Sequence, residues 1–172
     1  MEKVVQVITV VVVIALIGLI SVWTQQPVLV PSLGAAMFIQ AFEHKQRSAS
    51  TYRILVGQLT GVAGAFVGIY LAFAWATPSF MDHHALVYAR VLAVCIAVFA
   101  TAILQLVFKT TSPPGAATAL IVALGAETPD WAGALRLIAG IILVTTLGEI
   151  GRRLILAASS FSKVSSKIPS NM

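Results

Sequence analysis

Pro31-Ser32-Leu33-Gly34-Ala35-Ala36 and Ser112-Pro113-Pro114-Gly115-Ala116-Ala117 repeat one pattern, and each sets a proline/glycine break into an apolar stretch. Proline has no N–H to give a helix and biases the residue before it toward extended backbone. Each copy therefore reads as an extended lead-in that ends where a new helix begins. The apolar run after each copy is too short for a full membrane helix, which takes roughly 20 residues. A helix that starts inside the membrane turns its first N–H groups and the positive end of its dipole toward whatever lies there. An anion is the natural guest.

Four longer apolar runs surround these breaks: Val4 to Trp23, Ile54 to Ala76, Ala85 to Phe108 and Leu135 to Ala157. Each can cross a bilayer as an ordinary helix. The first follows Lys3 as a signal peptide would. It is longer than a typical signal h-region, however, and no small-x-small cleavage site precedes Gln25, so it is expected to be a retained helix. The short interrupted segments are Pro27 to Phe42 and Thr110 to Ala126.

Charge decides whether the short segments cross or merely dip. With six passes and the N-terminus inside, Lys3, Lys45, Arg47, Arg53, Lys109, Arg152, Arg153, Lys163 and Lys167 all fall on the cytoplasmic side. Only Arg90 and Arg136 fall outside, alongside the acidic Asp82, Glu127 and Asp130. If the segments dip, the loop with Lys45 and Arg47 lies opposite the basic C-terminus. The positive-inside rule favours six passes, with both termini cytoplasmic.

Composition agrees with a membrane protein. Of 172 residues, 59% are hydrophobic and 10% charged, with a mean hydropathy of +0.97; soluble domains carry about 25% charged residues. The net charge of +5 is spread over short loops and is no nucleic-acid patch. The single Cys95 excludes an intrachain disulfide and reads as a packing residue inside its helix. No nucleophile–base pair, metal cluster or cofactor motif is visible, so no enzyme, metal or cofactor is expected. His83 and His84, after Asp82, read as a solvated outer loop.

The repeat extends beyond the breaks. Arg53-Ile-Leu-Val-Gly57 aligns with Arg136-Leu-Ile-Ala-Gly140 after a slip of two residues. Three passes per half is odd, so the second half runs upside down, an inverted repeat with a binding site where its broken helices meet. The expected fold is an all-α integral membrane protein of two inverted three-segment repeats, each helix–broken half-helix–helix. The repeats occupy residues 1-76 and 85-157, followed by a basic, Ser-rich cytoplasmic tail over 158-172.

Thr110-Thr-Ser-Pro-Pro-Gly-Ala-Ala-Thr-Ala-Leu-Ile121 resembles the signature of the HPP family of integral membrane proteins. That family is named for a His-Pro-Pro followed by small residues and Ala-Thr-Ala-Leu. Pro31-Ser-Leu-Gly-Ala-Ala36 resembles the family's Ser-Phe-Gly-Ala-Ser element, and Arg53 with Gly57 also fits. The resemblance runs from about Pro27 to Gly151. It implies transport of nitrite or a related small anion, and a bacterial plasma membrane of cyanobacterial type. The chain departs from the family in one place: Ser112 stands where the motif has His. If that His serves proton coupling, this chain lacks it; if it only donates a hydrogen bond, the Ser112 hydroxyl can do the same.

The expected anion site comprises Ser32, Leu33, Gly34 and Ala35 from the first break. From the second come Thr111, Ser112, Pro114, Gly115, Ala116 and Thr118. Paired helix N-termini replace the hydration shell with N–H groups and partial charges, without a full charge at the midplane. Gly34 and Gly115 leave the backbone bare for close approach of the ion. A side chain added at Gly115 is expected to block transport while leaving folding largely intact. The alternative is that these small residues serve only tight helix crossing in a non-transporting scaffold or regulatory subunit.

Other polar residues within spans include Gln58, Gln105, Thr145 and Glu149. On a helical wheel Thr145, Glu149 and Arg153 fall within about 80°, with Gly140, Gly148 and Gly151 on the other side. Glu149 and Arg153 suit either coupling or a plain i,i+4 ion pair. Gln58 suits gating or an interhelical hydrogen bond. Gly57, Gly61, Gly64 and Gly68 share an arc of about 60°, a packing face within or between subunits. The expected partners are a small anion, the lipid bilayer and further copies of the chain.

Overall fold

The computed structural model describes residues 2–25, 31–84 and 86–165. Helices α1 (Glu2–Thr24), α2 (Pro31–Phe42), α3 (Thr51–Leu71), α4 (Phe80–His83), α5 (Tyr88–Val107), α6 (Pro113–Ala123) and α7 (Trp131–Ser165) account for most of it. No strand occurs among the described residues. Four helices, α1, α3, α5 and α7, are long and apolar enough to cross a membrane. The short apolar helices α2 and α6 have 12 and 11 residues. At 1.5 Å per residue they reach only about 16–18 Å, well short of a hydrocarbon core of about 30 Å.

Several boundaries differ from expectation. Helix α3 begins at Thr51 rather than Ile54 because Ser50 caps it, accepting from the Arg53 N–H at 3.4 Å. It ends at Leu71 rather than Ala76, where Phe73 takes a left-handed φ of 53°. Helix α7 continues to Ser165, past the division placed between 157 and 158. No proline or glycine interrupts it there; the next is Pro169. Pro27 and residues 166–172, the end of the Ser-rich tail, lie outside the described residues.

Side-chain contacts sort the helix ends into two groups. At one end Gln6 of α1 meets His44, Thr51 of α3 meets Glu149 of α7, and Arg152 donates to the His44 carbonyl. The Tyr52 hydroxyl donates to the Phe108 carbonyl at this same end. We refer to it as the basic end, because Lys3, Lys45, Arg47, Arg53, Lys109, Arg152 and Arg153 gather there. At the other end the Tyr70 hydroxyl donates to the Pro129 carbonyl, and Arg90 donates to Thr77, Pro78 and Ala123 carbonyls. Trp23, Trp75, Tyr88 and Trp131 are exposed at this aromatic end, as amphipathic rings are at a headgroup boundary.

Helix α3 is the centre of the bundle, packed against α5, α6 and α7. Its glycine face explains how. A Cβ at Gly61 would overlap the Gly115 backbone of α6, one at Gly64 would strike Thr101 of α5, and one at Gly68 would strike the Ala93 carbonyl. The packing face seen in the sequence thus lies within the subunit, and it brings helix backbones into direct contact. By contrast α1 and α5 carry rows of exposed Val, Leu, Ile and Phe, as a lipid-facing surface does. Cys95 is on that surface and not in the packed interior. The apolar character of its run could not tell a lipid-facing position from a core one.

Helix ends are closed by identifiable devices. The α6 C-terminus has Gly125 at φ 100°, with Ala126 N–H bonded to the Ile121 carbonyl and Gly125 N–H to the Val122 carbonyl. This double bond pattern needs a left-handed residue, hence glycine. Helix α7 starts on Asp130, whose carboxylate accepts from the Gly133 N–H at 2.6 Å and the Thr128 hydroxyl at 3.0 Å. Chiefly the Gly133 N–H, then Thr128, holds the Asp130 pKa below the usual carboxylate range.

Candidate functional site

The start of α6 is built by its own residues and then locked from two sides. Pro113 and Pro114 occupy the first helical positions, where a missing N–H is harmless. Ser112 is the N-cap: its Oγ accepts from the Gly115 N–H at 3.3 Å and its carbonyl from the Ala116 N–H at 3.2 Å. Gln105 of α5 then grips the Ser112 peptide at both atoms, accepting from its N–H at 3.0 Å and donating to its carbonyl at 3.2 Å. From α3, the backbone of Gly57 lies directly on Gly115, and Ser112 occupies the place that a Gly57 side chain would take.

Two consequences follow for the expected site. The N–H groups of Gly115 and Ala116, which sequence reasoning offers to an anion, are both occupied by Ser112 in this conformation. In addition, a Cβ at Gly115 would overlap the Gly57 carbonyl and sit 2.9 Å from Gln105 Nε2. The expectation that Gly115 tolerates a side chain without loss of folding is therefore corrected. Its glycine is demanded by helix packing, whatever else it does.

One turn into α6, Thr118 joins the two breaks. Its hydroxyl lies 2.8 Å from Ser32 Oγ at the start of α2, hydrogen-bonds Gln58 Oε1 of α3, and lies 3.1 Å from the Pro114 carbonyl. Gln58 Nε2 donates to the Ser32 carbonyl at 3.3 Å. Ser32, Gln58 and Thr118 are all buried, Gln58 completely at 0% exposed. A hydroxyl has one proton, so Thr118 serves one acceptor at a time while Ser32 can donate in return. Such a knot of neutral, exchangeable donors suits transient contact with an anion and is held together without a charge.

The rest of the expected set divides. Leu33 and Pro114 are buried beside the knot, whereas Thr111 and Ala35 are exposed and make no part of it. Gly34 is partly buried, and a Cβ there would meet nothing within 4 Å. Glu149 and Arg153 lie at the basic end, away from the knot. Glu149 accepts from Arg152 at 2.8 Å, from Arg153 at 2.9 Å and from the Thr51 hydroxyl at 2.9 Å. This cluster ties α7 to the start of α3, a structural use that goes beyond the i,i+4 pair.

Sequence reasoning missed several buried polar residues, Gln6 of α1 among them. Arg90, counted only as an outer charge, is 4% exposed and fastens the end of α6 to the α3–α4 connection through three carbonyls at 2.9–3.2 Å. A guanidinium suits this task, with a fixed fork of donors beside the negative end of α6. Gln40 of α2 and His44, in the turn just after it, are buried at 0% and 4% exposed. A four-residue spacing from Ser32 was the available signal for both.

A sequence model of the family described as "HPP, transmembrane region" matches residues 1–160. Comparison with curated proteins and with solved structures gives no match. The match covers both breaks, the knot between them, α1, α3 and α5 in full and α7 as far as residue 160, and with it this chain belongs to the HPP family of transmembrane proteins.

Proposed function

We propose that this protein carries a small inorganic anion, nitrite first among them, across a membrane through the junction of α2 and α6. The supporting observation is the buried hydroxyl–amide knot of Ser32, Gln58 and Thr118, set where two helices too short to span begin. Family membership is consistent with membrane transport in general. In this reading the α2 and α6 regions belong to two inverted repeats, with the basic end and both termini cytoplasmic by the positive-inside rule. The anion competes with Ser112 Oγ for the Gly115 N–H, so the conformation described is a closed one. A bundle this small suits assembly of several copies.

A second reading, a non-transporting scaffold, has its own support: every N–H at the start of α6 is either absent or already bonded within the chain. Uptake into proteoliposomes separates the two. The transport reading expects nitrite uptake above that of empty vesicles, and its dependence on an imposed proton gradient distinguishes coupled transport from facilitated diffusion. Purified, folded protein that carries neither nitrite, nitrate, formate nor chloride would leave the scaffold reading standing.

A further inference from the structure

Helix α2 carries a buried line of residues from the knot to the basic end. Ser32, Ala36 and Gln40 follow one another at four-residue spacing along the helix, each turned about 40° from the last, and His44 sits in the turn just past its end. All are buried, at 2%, 0%, 0% and 4% exposed. The anomaly in this line is Gln40. Neither Nε2 nor Oε1 of its amide has a hydrogen-bond partner among the described residues. An amide unpaired at both atoms is costly in any interior and rare in native proteins. Across from it stands Gly148 of α7, where a Cβ would overlap Gln40 Oε1. The missing side chain is what makes room for the amide.

The line ends in a cleft. Gln6 Nε2 and His44 Nδ1 meet at 3.2 Å, and beyond them opens a hollow of about 1020 Å³ lined also by Lys3, Phe42, Glu43 and Lys45. Glu43, the acidic member, accepts from the Ser48 hydroxyl at 2.7 Å. The lining thus carries the cationic side chains of Lys3 and Lys45 beside the carboxylate of Glu43, a positive balance that favours anions.

We propose that this face of α2 is one half of the permeation path, leading an anion between the basic cleft and the Ser32–Gln58–Thr118 knot, with the Gln40 amide as its ligand midway. The inference rests on the transport reading above and names a route for it. The Gln40 NH₂ offers donors without charge, so an ion is held briefly and released. Gly148 gives the amide its place against α7, and Ala36, one turn toward the knot, adds only a methyl group to the line. The line is closed to solvent in this structure, and transport requires it to open.

Thiol labelling tests the route without needing a transported substrate. In a Cys95→Ser background, Gln40→Cys is reconstituted and treated from the Lys3/Lys45 side with a small anionic methanethiosulfonate or its cationic counterpart. Gln40→Cys should react at least ten times faster than Val144→Cys, a buried control on α7, and faster with the anionic reagent than with the cationic one. Ala36→Cys, a smaller change, should behave the same and serves if Gln40→Cys does not fold. Equal, slow labelling at Gln40, Ala36 and Val144 would overturn the path. In parallel, Gly148→Ala, which crowds the amide, should lower nitrite uptake several-fold. Wild-type protein that carries no anion would overturn the transport reading, whereas active wild type with unreactive cysteines at both positions would overturn the route alone.

Discussion

The starts of α2 and α6 are near copies in sequence and opposites in packing. At α6 the glycine is pressed against the Gly57 backbone, Ser112 caps the helix, and Gln105 holds the cap at both peptide atoms. At α2 the corresponding glycine, Gly34, has open space where its side chain would be, and Ala35 is exposed. What ties the two together is not the glycines but Ser32 and Thr118, joined directly and through Gln58. The same motif can therefore be read for different reasons: one glycine is required by its neighbour, while the other leaves a backbone accessible. The α6 copy is the anchored member, and the α2 copy is the one with space at its glycine.

The contrast breaks most plainly at Gly115. Gly115→Ala should cost about 1–3 kcal/mol through overpacking, and Gly115→Leu should fail to accumulate as folded protein. Thermal unfolding in detergent or lipid reads this; an unshifted midpoint for Gly115→Ala would show that α3 and α6 are not in backbone contact. Next comes Gln105→Leu, which strands the buried Ser112 N–H and should cost about 1–3 kcal/mol in the same assay. A smaller loss, about 1 kcal/mol, is expected for Ser112→Ala, which removes the cap. Under the transport reading it also frees the Gly115 N–H, so the KM for nitrite should fall. A raised KM would mean that the hydroxyl itself holds the ion. The smallest effect on stability belongs to Gly34→Ala, within about 0.5 kcal/mol of wild type. If nitrite uptake nevertheless drops, the bare backbone at α2 is the working half of the pair; unchanged uptake would confine the α2 contribution to Ser32.

Much of the architecture was legible in the chain because membrane burial leaves a coarse mark. Runs of apolar residues located four long helices, and prolines marked where two short ones start. The family motif around Thr110–Ile121 identified the chain, and the family match extends over residues 1–160. The site was less legible. Ser32, Ser112, Thr118 and Gln58 were all named as candidates, yet nothing in their spacing says that Ser112 would spend its hydroxyl on the Gly115 N–H. Gln105 read only as an interhelical partner of unknown address, and Arg90 only as a charge count.

By itself the sequence determined what each segment must do in a medium without water: span, start short, or stay outside. Hydropathy, proline and the distribution of Lys and Arg are local properties, and lipid acts on them one segment at a time. Tertiary structure alone decided which small residues are contacts and which are openings. Gly115 and Gly34 are the same residue near the start of the same kind of short helix, and what distinguishes them is the Gly57 backbone of α3 lying against one and nothing against the other. It also decided that Gln58 would be satisfied and Gln40 left unpaired among the described residues, because a hydrogen bond needs a partner within about 3 Å and that distance is set by how helices cross.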